Sequence, residues 1–472
     1  MGVTLGIIFG ALPGLTAAMG VALLIPLTFG MPAVEAFSAL LGMYVGAIYG
    51  GCITAILVGT PGTVSAAATM LEGPALTARG ESRRALDMAT IASFVGGIVS
   101  ALALIFIAPM LARAAMSFGA PEYFAVAVFG LTVVASLSSG HLVKGLISAL
   151  AGLFLATIGL DPVTGDMRTF DNPNLFNGLS LVPVLVGLFA VSQVLVTVED
   201  VVRGVSLKES TVSKRGISLK DLTGNVVNFI RSSVIGTLIG IIPATGVSAA
   251  SFLAYSEAKR FSKTPEMYGK GCVEGIAATE SSNNAVCGGA LIPLLTLGVP
   301  GDIITAIMLG ALMIQGLTPG PLLFVEHPVT VYGIFAAFII ANIMMLVCGL
   351  IAVRGAGKII AIPGAVLMPI VITLCVVGGY AVNNSTFDLL VVAIFGTVGY
   401  LMIKCDFPQP PLLLAMILEP IAEANFRRPQ ISQNDYSIFY TSPVACIILL
   451  VSLLVLLKPV YDDFRAGRKA AA

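Results

Sequence analysis

Two sets of residues in this chain have the types and spacing for chemistry, and both lie among long apolar runs. The first is the block Glu280-Ser281-Ser282-Asn283-Asn284, placed directly before an apolar stretch. A carboxylate, two hydroxyls and two amides at the mouth of an apolar helix are costly without partners. They could hydrogen-bond the hydroxyls and carboxylates of a small solute, or coordinate Na+ through amide and hydroxyl oxygens near Asn283 and Asn284. The alternative reading is a helix N-cap, since Ser and Asn cap helices well. The second set is a series of Pro-Gly breaks at Pro13-Gly14, Pro61-Gly62 and Pro300-Gly301. Proline removes a backbone donor and clashes with the preceding turn, while glycine permits unusual backbone angles. A helix that restarts after such a break aims free N–H groups and a partial positive charge at what it faces. That arrangement suits an anion, a carboxylate above all. The competing reading is a kink that serves packing only.

Polar side chains stand at these breaks. Thr63 and Ser65 follow Pro61-Gly62, and Asp302 and Thr305 follow Pro300-Gly301. Thr16 follows the first break, and Thr245 follows its counterpart at Pro243. The expected solute-binding set is Pro13, Gly14, Thr16, Pro61, Gly62, Thr63, Ser65, Thr245, Asn283, Asn284, Pro300, Gly301 and Asp302.

The elements that position these residues occur twice. Gly6, Gly10 and Pro13 reappear as Gly236, Gly240 and Pro243, each displaced by 230 positions. Downstream, Gly50-Gly51 align with Gly288-Gly289, and Pro61-Gly62 with Pro300-Gly301. Duplicated units with broken helices are how many secondary transporters build a site near the bilayer midplane.

Composition requires a membrane. Hydrophobic residues make up 57% and charged residues 11% of the 472, against about 25% charged in soluble domains. Mean hydropathy is +0.99. Apolar segments that reach or approach spanning length recur along the chain, on the order of a dozen crossings or partial crossings. The fold class is therefore an all-α polytopic membrane protein made of duplicated repeats with Pro-Gly-interrupted helices. We divide it into a first transmembrane repeat (1–198), a polar cytoplasmic linker (199–228), a second transmembrane repeat (229–424), and a C-terminal transmembrane helix with a basic tail (425–472).

Basic residues orient the repeats. The loop with Arg79, Arg83 and Arg84, the linker with Arg203, Lys208, Lys214, Arg215 and Lys220, and the loop with Lys259, Arg260, Lys263 and Lys270 are expected in the cytoplasm. In the first half the basic loop follows the second break. In the second half it follows the first. This exchange favours an inverted-topology duplication over a parallel one.

Other chemistries find little support. The net charge is zero, and nothing points to nucleic acid. The seven cysteines are scattered without a CxxC pair, and read as small buried residues. His141 and His327 belong to no arrangement that reads as nucleophilic catalysis. With no phosphate-binding Gly-rich loop ending in Lys-Ser or Lys-Thr, the chain is not expected to hydrolyse ATP. We expect no enzyme activity and no organic cofactor. A cleavable signal peptide is not expected either, because the first apolar segment lacks a basic start.

The segments GALPGL (10–15), YGGCITAILVGTPGT (49–63), EGPALTARGESRRAL (72–86), ATESSNNAVCGGALIPLLTLGVPGD (278–302) and MIQGLTPGPLLF (313–324) resemble the large membrane subunit of tripartite tricarboxylate transporters, the TctA type. The resemblance runs through nearly the whole chain. It implies a multi-pass protein of the bacterial inner membrane that takes up organic anions such as citrate or other carboxylates, coupled to a Na+ or H+ gradient. It implies two partners, a small membrane subunit of the TctB type and a periplasmic solute-binding protein of the TctC type. Pro13, Gly14, Pro61, Gly62, Asn283, Asn284, Pro300 and Gly301 fall on the family's motifs. Two departures stand out. Pro243-Ala244 replaces the family's Pro-Gly, which shifts the flexible point to Gly246. The first motif also comes almost at once, where relatives carry another hydrophobic helix, so the N-terminus is expected to be shortened or assigned late. The alternatives are a passive anion channel or exporter, and a membrane-embedded enzyme or scaffold.

Overall fold

The computed structural model describes residues 1–12, 14–136, 142–160, 165–202, 212–213, 216–242, 247–360, 364–433 and 437–470. They are almost wholly helical, with one short antiparallel strand pair, Gly159–Leu160 against Met167–Arg168. Among the described residues five helices are long and apolar enough to cross a bilayer, and shorter apolar helices of 10–17 residues accompany them. The all-α polytopic architecture expected from hydropathy is the one observed.

One order of elements recurs in both halves. In the first, α1 (Gly2–Ala11) stops at the break and α2 (Ala17–Thr28) resumes beyond it. Then α3 (Ala33–Leu57) runs to the Pro61-Gly62 turn, a 3-10 helix (Val64–Leu71) follows, and α4 (Ser82–Ala115) completes the unit. Later in this half comes α5 (Ser192–Val202). In the second half, α6 (Val226–Ile241), α7 (Val247–Phe261), α8 (Val273–Leu297), α9 (Ile303–Ile314) and α10 (Pro328–Ile360) repeat the order. Pro13, His141 and residues 243–246, which include Thr245, lie outside the described residues.

Small residues set how the first and third helices of each unit meet. A Cβ placed on Gly6 would sit 2.5 Å from the Met43 carbonyl oxygen, and one on Gly240 would sit 2.7 Å from that of Val286. Only glycine lets the backbones approach so closely, the usual device where no hydrophobic effect drives helices together. The same contacts correct the alignment of the repeats. A Cβ on Gly50 would lie 3.1 Å from the Gly10 Cα, and one on Gly289 would lie 3.0 Å from the Gly240 Cα. Gly289, not Gly288, is therefore the counterpart of Gly50. The displacement becomes 239, the value that also relates Pro61-Gly62 to Pro300-Gly301, so one register runs through helix and turn. Gly288 faces α4 instead, where a Cβ would sit 2.5 Å from Ser100 Oγ.

The relative direction of the halves follows from α4 and its counterpart α10. They meet where Gly97 lies against Asn342 and where Gly349 lies against the Thr90 methyl. Ascending α4 from 90 to 97 means descending α10 from 349 to 342. Counterpart helices that run antiparallel make the duplication inverted. Partners are exchanged accordingly: α8 packs on α4, and α3 packs on α10.

Three loop regions gather at one end of the molecule. Arg84 donates to both oxygens of Asp221, from Nε at 3.0 Å and Nη2 at 2.6 Å. The Arg83 N–H donates to Ser213 Oγ at 3.2 Å, and Arg79 Nη1 donates to the Gly271 carbonyl at 3.3 Å. The basic loops on either side of the inter-repeat segment thus share a face with it. Arg84 holds the Asp221 carboxyl below its ordinary 3.8, at about 2.

Two measurements check this packing. Gly240→Leu lowers stability by about 1–3 kcal/mol through overpacking, read as the thermal unfolding midpoint in detergent. Gly355→Leu, where a Cβ would meet nothing within 4 Å, leaves that midpoint unchanged. A double-mutant cycle on Arg84 and Asp221 gives about 0.2–1 kcal/mol of coupling at neutral pH, because the pair is partly solvated. A depressed carboxylate stabilises the fold above its unfolded value and loses that contribution as pH falls through its folded one. The coupling therefore fades between the ordinary 3.8 and about 2.

Candidate functional site

The polar block does not sit at a helix mouth. Apolar averaging places the start of a segment near Ser282, but α8 begins at Val273, so Glu280 through Asn284 occupy its middle turns. All five residues are completely buried. Hydropathy lowers the score of this stretch because it counts each side chain alone. In the fold those side chains meet polar partners on other elements. The Glu280 carboxyl accepts a hydrogen bond from Thr69 Oγ1 of the 3-10 helix, one from Ser93 Oγ of α4 at 3.3 Å, and one from Asn283 Nδ2 at 3.4 Å. Thr69 Oγ1 also lies 3.0 Å from Thr279 Oγ1. Other atoms of the block have no partner: Ser281 Oγ, Asn283 Oδ1, and both polar atoms of the Asn284 amide, together with Asn342 Oδ1 of α10. Buried polar atoms are nearly always hydrogen-bonded. A row of unpaired amide atoms on this buried helix marks a place where polar groups await a bonding partner.

A crossed contact joins the halves above this row. Tyr44 Oη of α3 donates to Asp302 Oδ2 at the Pro300-Gly301 turn. Cys287, two turns beyond Glu280 on α8, lies beside both. Under the 239-residue displacement Tyr44 corresponds to Asn283 and Asp302 to Thr63.

The two Pro-Gly turns differ in chemistry. At the second, Asp302 caps α9: its Oδ1 accepts from the Thr305 N–H at 2.7 Å, and its own N–H donates to Thr305 Oγ1 at 2.8 Å. The end of α9 expected to offer free N–H groups already carries a carboxylate. At the first turn the 3-10 helix has no side-chain cap. Thr63 and Ser65 are buried and joined through their hydroxyls at 2.9 Å, while Pro61 and Val64 beside them are exposed. Gly62 and Gly301 each pack against the end of the first helix of their own half, at the carbonyls of Gly10 and Gly240. The start of α7 also reaches the first turn, where Ser248 Oγ donates to the Val64 carbonyl at 3.1 Å.

The break between α1 and α2 is engaged in structure. Gly14, at φ +87°, turns its carbonyl to Gln193 Nε2 at 3.2 Å and Thr197 Oγ1 at 2.9 Å, both on α5. Thr16 Oγ1 accepts from the Met19 N–H at 3.1 Å and caps α2.

A model of the tripartite tricarboxylate transporter TctA family matches residues 1–414. The chain belongs to the TctA family. An Agrobacterium vitis relative described as "Uncharacterized 52.8 kDa protein in TAR-I ttuC' 3'region" is 37% identical over 471 residues, covering 99% of this chain and 93% of that protein. A second, "Uncharacterized protein in TAR-II ttuC' 3'region" of the same organism, is 36% identical over 234 residues, covering 49% of this chain and 97% of that protein. No solved structure matches.

One residue of this TctA chain escaped the reading of the sequence. Glu72 appears there only as the first residue of the motif at 72–86, yet it is completely buried. Its carboxylate accepts from the N–H groups of Gly269 at 2.6 Å, Gly271 at 2.8 Å and Cys272 at 2.7 Å, and from Tyr255 Oη at 2.6 Å. Successive N–H groups turned inward make an anion-binding concavity. Its signal in the sequence is Gly269-Lys270-Gly271, a turn whose glycines take φ +81° and +91°. Glu72 thus fastens the end of the 3-10 helix to the start of α8. Glu72→Ala costs about 1.5–3 kcal/mol, the value of charge-assisted hydrogen bonds. It also speeds hydrogen exchange at residues 269–272, and unchanged exchange there would sink the assignment.

Proposed function

We propose that this TctA-family chain is the large membrane subunit of a secondary active transporter. It takes up an organic carboxylate, citrate-like or related, across the bacterial inner membrane, driven by a cation gradient. A periplasmic solute-binding protein of the TctC type feeds it, and a small membrane subunit of the TctB type accompanies it. The observation that carries this reading is the row of buried, unpaired amide atoms at Asn283 and Asn284, on the central helix of an inverted duplication. Inverted repeats with interrupted helices supply alternating access around a midplane site.

The solute's carboxylate is held by donors. Asn283 and Asn284 offer amide N–H groups, and Thr63 and Ser65 offer hydroxyls at the uncapped turn. The first turn is the better anion site, because no carboxylate occupies its helix start. Asp302 faces the solute's hydroxyls or a cation. The gathered basic loops take the cytoplasmic side under the positive-inside rule, and the mechanism needs no covalent chemistry.

The test is uptake of labelled citrate and a panel of di- and aromatic carboxylates. Cells carry this chain with its small membrane partner, with and without the binding protein, and with the ion gradient present or collapsed. Concentrative uptake that needs both is expected. Thr63→Leu and Asn283→Leu each weaken apparent affinity by about tenfold or more, the loss of one to two hydrogen bonds to an ion. Normal affinity in both variants would place the solute elsewhere. Uptake that merely equilibrates after the gradient collapses would instead identify an anion channel.

A further inference from the structure

Glu280 is a carboxyl with no cation. It is completely buried on α8, and among the described residues it enters no ion pair. The elements around it present neutral groups: Thr69 from the 3-10 helix, Ser93 from α4, and Tyr49 and Cys52 from α3. At the next turn α6 meets α8 through Gly236, against Ser282. Of the charged groups on the neighbouring elements, Arg231 of α6 donates to Asn228 Oδ1 at 3.2 Å, and Arg84 of α4 pairs with Asp221. Asp87 of α4 lies 3.7 Å from Arg83, and Asp302 is bonded to Tyr44 and Thr305. A lone carboxylate in such surroundings takes up a cation rather than remain charged.

A second observation shows where the cation goes. Asn283 touches Glu280 only through Nδ2, over a long 3.4 Å, while its Oδ1 has no partner. A proton on Glu280 Oε2 gives that Oδ1 a partner and leaves Nδ2 as the free end of the amide. With the amide turned end for end, Oδ1 accepts from the new O–H. No added volume is needed. A metal ion would have to separate oxygens that already touch, since the Thr69 hydroxyl lies against Oε1.

We propose that Glu280 carries the coupling proton of this transporter, a step that rests on the reading as a cation-driven carrier. The proton leaves a hydronium ion on the outer side, forms an O–H bond at Oε2, and passes to cytoplasmic water when the carrier opens inward. Asn283 then links the proton to the solute, because its amide direction depends on whether Glu280 is protonated.

Two measurements decide the matter. Infrared difference spectra compare the purified full chain with Glu280→Gln at neutral pH. The wild type shows the carbonyl stretch of a buried carboxylic acid, the Gln variant lacks it, and Na+ leaves it unchanged. Glu280→Asp shifts the band rather than removing it, which guards against a misfolded Gln variant. No difference between wild type and variants overturns the proposal, and a band that disappears on adding Na+ overturns it in favour of a metal ion. In proteoliposomes carrying labelled citrate, Glu280→Gln loses acid-driven accumulation at least tenfold, while Glu280→Asp retains part of it. Undiminished accumulation in the variant overturns the assignment. Should the wild type move no citrate, the transport reading fails on this solute, while the infrared spectra still decide the proton.

Discussion

A helix that carries a glutamate, two serines and two asparagines through the middle of a membrane protein cannot face lipid. Unpaired polar groups in hydrocarbon have no water to fall back on. The architecture around α8 answers that constraint. Packed against it are α4, α6 and α7, with α3 and the 3-10 helix also in contact. Glycines at Gly96, Gly236 and Gly240 bring the flanking backbones close enough to exclude lipid. Burial of α8 is therefore the condition that the glycine spacing, the close contacts and the inverted arrangement all meet. Its hydropathy keeps it out of the set of long spanning helices, although nearly all of its residues are buried.

Duplication supplied two equivalent frames, and divergence made them chemically unequal. At corresponding places one half has Tyr44 and Thr63, the other Asn283 and Asp302. Tyr44 and Asp302 satisfy each other across the halves, whereas Asn283 keeps an unpaired oxygen. The negative charge gathers at the α9 turn, and neutral donors gather at the 3-10 turn.

The remaining polar features hold that scaffold in register. Glu72 ties the end of the 3-10 helix to the loop that starts α8, so the elements bearing Thr69 and Glu280 move together. The carbonyl at Gly14 and the hydroxyl of Thr16 are used by α5 and by the start of α2. The breaks thus divide their labour: the α1–α2 break is stitched into neighbouring helices, while the turn at Thr63 keeps an uncapped helix start.

Much of this was legible in the residues alone. Apolar runs of spanning length specify a membrane protein, because the bilayer thickness sets the length of any helix that crosses it. Repeated glycines and Pro-Gly pairs disclose the duplication, the exchange of basic loops discloses its inversion, and the long motifs disclose the family. These are local properties, summed over neighbours in the chain. What only the tertiary structure decided are partnerships between distant positions. Glu72 meets Gly271 199 residues away, and Tyr44 meets Asp302 258 residues away. The one-residue correction that pairs Gly50 with Gly289 came from backbone contact. So did the central place of Glu280, which hydropathy had moved to a helix mouth. The free energy of a buried polar group is set by the atoms beside it in space, and no window along the chain contains them.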